Sequence, residues 1–158
     1  MGPEWYDKST LILGWGNVLI GDDGFGPAVA GQLRHNFAVP ADICVLDTGT
    51  SVREILFDTI LADKKPSKIV IIDAMDCGLE LGELFSPDID SFPKVKLDDF
   101  SLHQVPTSNL LRDLCGIEVS VVACQVAGAC DMVNPGLSGP VSKAVEQAVE
   151  MIAEEYFK

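Results

Sequence analysis

Short apolar runs without alternation most constrain how this chain can fold. Residues 10–13, 43–46, 68–72 and 119–124 are such runs, and the first three stop at Gly14, Asp47 and Asp73. A strand with one wet face alternates polar and apolar residues, whereas a run apolar at nearly every position is buried on both faces. The segments between carry a different period. Val29, Ala30, Leu33 and Phe37 within residues 27–37 make a helical face, as do Val52, Ile55, Leu56 and Ile60. A long C-terminal helix over residues 138–157 presents Val141, Ala144, Val145, Ala148 and Ile152. Weaker signals predict an edge strand at 82–85, an irregular stretch at 88–100 and a helix at 107–114 with Leu110, Leu111 and Leu114 on one face. Strands alternating with helices imply an α/β fold, a mainly parallel sheet of about five strands with helices on both faces.

With 158 residues, 47% of them apolar, the chain suits a single domain over residues 1–158 with its own core. A formal net charge of −13 argues against nucleic acid, which needs clustered Lys and Arg. No run is long and apolar enough to predict a membrane span, and the first ten residues lack the layout of a signal peptide. Cys44, Cys77, Cys115, Cys124 and Cys130 are odd in number and form no C-x-x-C pair. They read as reduced thiols, several of them core residues, in a cytoplasmic protein.

In a parallel sheet, ligands bind beyond the carboxyl ends of the strands. Asp22, Asp23, Asp47 and Asp73 are expected on that rim because each follows a strand. Gly14-x-Gly16 suggests a dinucleotide loop, but position 19, where the next glycine belongs, is Leu19. Two adjacent carboxylates would also repel a pyrophosphate. One of Asp22 and Asp23 can cap the following helix, and two exceed what capping needs. Asp73 and Asp76 each suit a simple turn. Of the two histidines, His35 sits near a helix end, where a cation is favoured, and reads as surface. His103 lies in a loop before Pro106. Two carboxylates and an imidazole together suit a borderline divalent ion such as nickel or zinc, with open positions for substrate or water.

These segments carry a resemblance. Gly14-Trp15-Gly16-Asn17-Val18-Leu19, Gly21-Asp22-Asp23-Gly24-Phe25-Gly26, Asp47-Thr48-Gly49-Thr50, Asp73-Ala74-Met75-Asp76-Cys77-Gly78 and His103-Gln104-Val105-Pro106 occur in the order found in hydrogenase maturation endopeptidases. The chain resembles that family from about residue 10 to its end. The resemblance implies a twisted, mainly parallel sheet. It also implies cleavage of the C-terminal tail of a nickel–iron hydrogenase large-subunit precursor, the partner, after nickel has been loaded. It assigns Asp23, Asp73 and His103 as nickel-contacting and catalytic residues. The nickel is presented by the substrate, and the same ligands can take another divalent metal in the isolated protein. Leu102, Leu81 and Ala123-Cys124-Gln125-Val126 depart from common family residues, and the pattern is similar to members serving deazaflavin-reducing hydrogenases.

The chain shows no Gly-x-Ser-x-Gly elbow, and spacing reveals no Cys–His or Ser–His pair. A metal-polarised carbonyl or metal-bound water is the expected route, with Asp22, Asp47 and Asp76 as unassigned candidates for a base. The competing expectation from a different class is a non-catalytic nickel-binding assembly chaperone with the same ligands.

Overall fold

The computed structural model describes residues 4–87, 116–127 and 132–158. The expected helix at 107–114, the stretch at 88–100 and His103 lie outside them. Strands β1 (Thr10–Trp15), β2 (Ile43–Gly49), β3 (Lys68–Met75), β4 (Leu84–Phe85) and β5 (Glu118–Gln125) form one sheet in the order β2-β1-β3-β5-β4. Every pairing is parallel except that of the two-residue edge strand β4 with β5. Helices α1 (Phe25–Asn36), α2 (Val52–Leu61) and α3 (Gly139–Tyr156), with a short 3-10 turn at Gly21–Gly24, complete the described elements. The expected architecture is the observed one.

The two-residue period of each strand divides the core in two. Ile12, Val45, Val70, Ile72, Val122 and Cys124 pack on one face with Val29 and Leu33 of α1 and Val145 and Ile152 of α3. Leu11, Leu13, Leu46, Ile69, Ile71 and Val121 pack on the other with Val52 and Leu56 of α2 and with Trp5. Strand residues go to both clusters, so neither face can be polar. This is why the runs do not alternate.

Crossovers on opposite faces create a switch point. From β1 the chain runs through α1 to β2 on one side, then through α2 on the other face to β3 on β1's far side. The loops leaving β1 and β3 therefore diverge, and their carboxyl ends bound the crevice where such sheets bind ligands. The first turn of α1 is pressed onto this crevice. A Cβ on Gly26 would collide with the carbonyl oxygens of Trp15 and Ile72, so only glycine lets the helix rest on both strand ends.

Two boundaries differ from expectation. β2 continues through Asp47 to Gly49, and β3 through Asp73 to Met75. Both aspartates therefore lie inside strands. Pairing carries them there: Asp47 is opposite Gly14, and Asp73 opposite Ala123.

Gly26→Ala is expected to lower stability by about 1–3 kcal/mol or more, because the obstructing atoms are backbone and cannot rotate away. Gly31→Ala in the same helix meets nothing within 4 Å. It should raise stability by about 0.4–1 kcal/mol. Thermal or urea melts of the two variants check the contrast.

Candidate active site

The loop after β1 is folded around Asp23. The Asn17 side chain accepts the Leu19 N–H at 2.9 Å, tightening the turn. The Asn17 N–H then donates to Asp23 Oδ2 at 2.8 Å. Gly16 has φ +151°, and a Cβ there would strike the Asp23 carbonyl oxygen. The two glycines thus serve close backbone approach, Gly16 at Asp23 and Gly14 at Gly26, rather than a pyrophosphate. β2 supports the loop from beside: the Thr48 hydroxyl donates to the Gly14 carbonyl at 2.8 Å, and the Gly16 N–H donates to the Gly49 carbonyl at 2.9 Å.

Asp22 and Asp23 divide their work in an unexpected way. Both lie in a short 3-10 turn, Gly21–Gly24, and neither caps α1, whose N-cap is Gly24 with no side-chain bond. Asp22 reaches instead to the C-terminal helix. Its Oδ1 accepts the Ser138 N–H at 2.7 Å, and its Oδ2 accepts the Ser138 hydroxyl at 2.8 Å. Ser138 is the N-cap of α3, and the first turn of that helix has no acidic residue of its own. A carboxylate from 116 residues away therefore faces the positive end of the helix.

Asp23 is bound within its own loop instead. Burial pushes its carboxyl above the usual 3.8, and the Asn17 N–H pulls it part of the way back. Among the described residues its Oδ1 takes no hydrogen bond. Asp73 is 5% exposed, and its Oδ1 accepts the Ala74 N–H at 2.8 Å. The turn carrying Asp23 lies against β3, the strand that carries Asp73, at the switch point. His103 falls outside the described residues. Among those residues no three His, Cys, Asp or Glu side chains form a metal-holding group. Asp47 is exposed and accepts the Gly49 N–H at 3.0 Å, closing its own turn.

No described core thiol suits a nucleophile. Cys124 is fully buried, and burial followed by the negative charge of Asp22 pushes its thiol up to about 12. Cys44 is pushed up to about 11, chiefly by burial. Both stay protonated at neutral pH, and it is the thiolate that attacks.

Gln125, noted in the sequence only as part of a departing motif, is 4% exposed. Its Oε1 accepts the N–H groups of Cys77 and Leu79 at 2.8 and 3.1 Å. Its Nε2 donates to Asp76 Oδ1 and the Val126 carbonyl at 2.8 and 2.7 Å. A polar residue closing an apolar run was the available signal.

Residues 27–155 match the sequence profile of HycI hydrogenase maturation proteases. The chain belongs to the hydrogenase maturation protease family. It is 40% identical over 154 residues to a protein of Methanocaldococcus jannaschii named as a candidate member, covering 96% of this chain and 98% of that one. It is 32% identical over 155 residues to coenzyme F420 hydrogenase subunit delta of Methanothermobacter thermautotrophicus, covering 95% and 96%. The crystal structure of a nickel–iron hydrogenase maturation protease from Thermococcus kodakarensis has the same fold, with TM-score 0.79 at 24% identity over 98% of this chain and 96% of that one. As a family member the chain is a peptidase, and among its described residues no helix is long and apolar enough to cross a membrane.

Two substitutions separate the neighbouring aspartates. Asp22→Ala leaves the Ser138 N–H without its acceptor and is expected to cost about 1–3 kcal/mol. For Asp23 the folded pKa is raised, so ionisation opposes folding: the penalty is absent below 3.8 and complete above the raised value. Asp23→Asn keeps an oxygen for the Asn17 N–H. It should therefore melt above the wild type at pH 7, with the advantage shrinking as the pH falls through the raised pKa. Melting curves at several pH values test both.

Proposed function

We propose that this peptidase removes the C-terminal tail of a nickel–iron hydrogenase large-subunit precursor and recognises that precursor through nickel already bound in it. Family membership supports the processing activity, and the placement of Asp23 beside β3, at the rim where Asp73 ends the apolar run, supports the metal reading. Asp23, Asp73 and His103 would supply two oxygens and an imidazole nitrogen to the precursor's nickel at about 2.0–2.3 Å. They would leave positions for the substrate's own ligands. An empty precursor cannot make these bonds, so discrimination follows from a contact only the loaded form offers.

Hydrolysis adds one water across the scissile bond, leaving a carboxylate on the subunit and an amine on the tail. The precursor's nickel, held by Asp23, Asp73 and His103, would supply the Lewis acidity that lowers its barrier. Cys44 and Cys124, both pushed up by burial, do not suit a covalent thioester route. The buried, reduced thiols of Cys44 and Cys124 suit a reducing, cytoplasmic setting. Similarity to the F420 hydrogenase delta subunit favours a deazaflavin-reducing hydrogenase as the system served.

Nickel-loaded precursor should lose its tail on incubation with the protein, and the metal-free form should lose little or none, as read by mass spectrometry. Equal cleavage of both forms would remove nickel as the recognition device, and binding without cleavage would indicate an escort rather than a protease. His103→Ala and Asp73→Asn should each lower tail release at least about a hundredfold, the size expected for losing a group that stabilises the reacting centre.

A further inference from the structure

Gln125 is the last residue of β5, pairing with Met75 at the end of β3. Its amide has two acceptor positions and two donor hydrogens, and all four are used. The partners fix which way it points. Two N–H groups can face only the oxygen, while a carboxylate and a carbonyl can face only the nitrogen. The chain leaving β3 is thus wrapped around one buried amide, three residues beyond Asp73.

One of those four bonds is not required to close the strand end. The N–H groups of Cys77 and Leu79 and the Val126 carbonyl are backbone groups needing partners. Asp76 is an exposed side chain that water could satisfy. Gln125 nevertheless holds its Oδ1, with a weaker 3.3 Å bond from the Gly78 N–H. No Lys or Arg pairs with Asp76 among the described residues, and its Oδ2 takes no hydrogen bond there. The result is a carboxylate held at one oxygen by neutral donors, with the other oxygen unbonded among the described residues at the carboxyl rim of the sheet.

We infer that Gln125 is a positioning residue for tail removal, holding Asp76 so that its open oxygen accepts an N–H group of the precursor chain beside the scissile bond. The inference rests on the processing reading above. A charged acceptor fixed at one end gains a charge-assisted hydrogen bond to the peptide without first losing side-chain freedom. Gln125 acts through Asp76 and does not itself touch the substrate.

The test is a double-mutant cycle on kcat/KM for tail release from nickel-loaded precursor. Asp76→Asn keeps the Oδ1 acceptor for Gln125 and Gly78 but removes the charge. It should lower kcat/KM about tenfold or more while leaving the melting temperature within about 2 °C. Gln125→Ala should lower kcat/KM by a similar factor in the wild type, and by less than about threefold further once Asp76→Asn is present. A Gln125 that served only the fold would show the same factor in both backgrounds. Gln125→Glu takes its place if Gln125→Ala does not fold, since one glutamate oxygen can still accept both loop N–H groups while the other repels Asp76. Asp76→Asn cleaving at the wild-type rate, or equal losses in the two backgrounds, overturns the inference while the processing reading stands. A wild-type protein that releases no tail removes the processing reading, and this inference with it.

Discussion

The seating of α1 on the ends of β1 and β3 is the contact on which the rest depends. Gly26 lies against the carbonyl oxygens of Trp15 and Ile72, closer than any side chain would permit. That approach brings the turn before the helix, with Asp22 and Asp23, onto the same rim as Asp73. A bulkier first turn would lift the helix off the sheet and carry both aspartates away from the crevice. The fold's core is made of ordinary aliphatic packing on two faces. The position of the site is set by this one backbone contact.

Around it the acidic residues are kept apart by what each is bonded to. Asp22 is committed to the start of α3 through Ser138, so it joins the β1 loop to the last helix. Asp23 is held by one backbone N–H, and among the described residues its other oxygen takes no hydrogen bond. Asp47 closes its own turn. Asp76 is steadied by Gln125. No described Lys or Arg forms an ion pair with any of them. Among the described residues no cation offsets these carboxylates, which suits the nickel recognition proposed above. Neutral donors also orient these side chains without supplying a competing positive charge.

Much of this architecture is legible in the chain because its signals are local. An unalternating apolar run states that both faces are covered, and a 3.6-residue stripe states which face of a helix is inward. The ends of elements are less legible. Asp47 and Asp73 look like strand terminators, yet pairing with Gly14 and Ala123 draws both into the sheet. A partner strand already in register can outweigh the weak strand propensity of an aspartate. The assignment of Asp22 or Asp23 as a cap for α1 fails for a related reason. Position before a helix makes a cap available, but the Ser138 N–H competed for the carboxylate.

The chain by itself determined the α/β class, the mainly parallel arrangement of its buried strands and the placing of aspartates toward their carboxyl ends. Each follows from patterns a few residues long, read against the periods of helix and strand. The family motifs added the names of Asp23, Asp73 and His103. Only the tertiary structure decided that Asp22 serves a helix 116 residues away, that Gly16 and Gly26 are there for backbone approach, and that Gln125 orders the loop after β3. Those facts concern pairs distant in sequence. Whether a carboxylate caps, supports or remains open depends on which donor reaches it first, and that is settled when the elements pack.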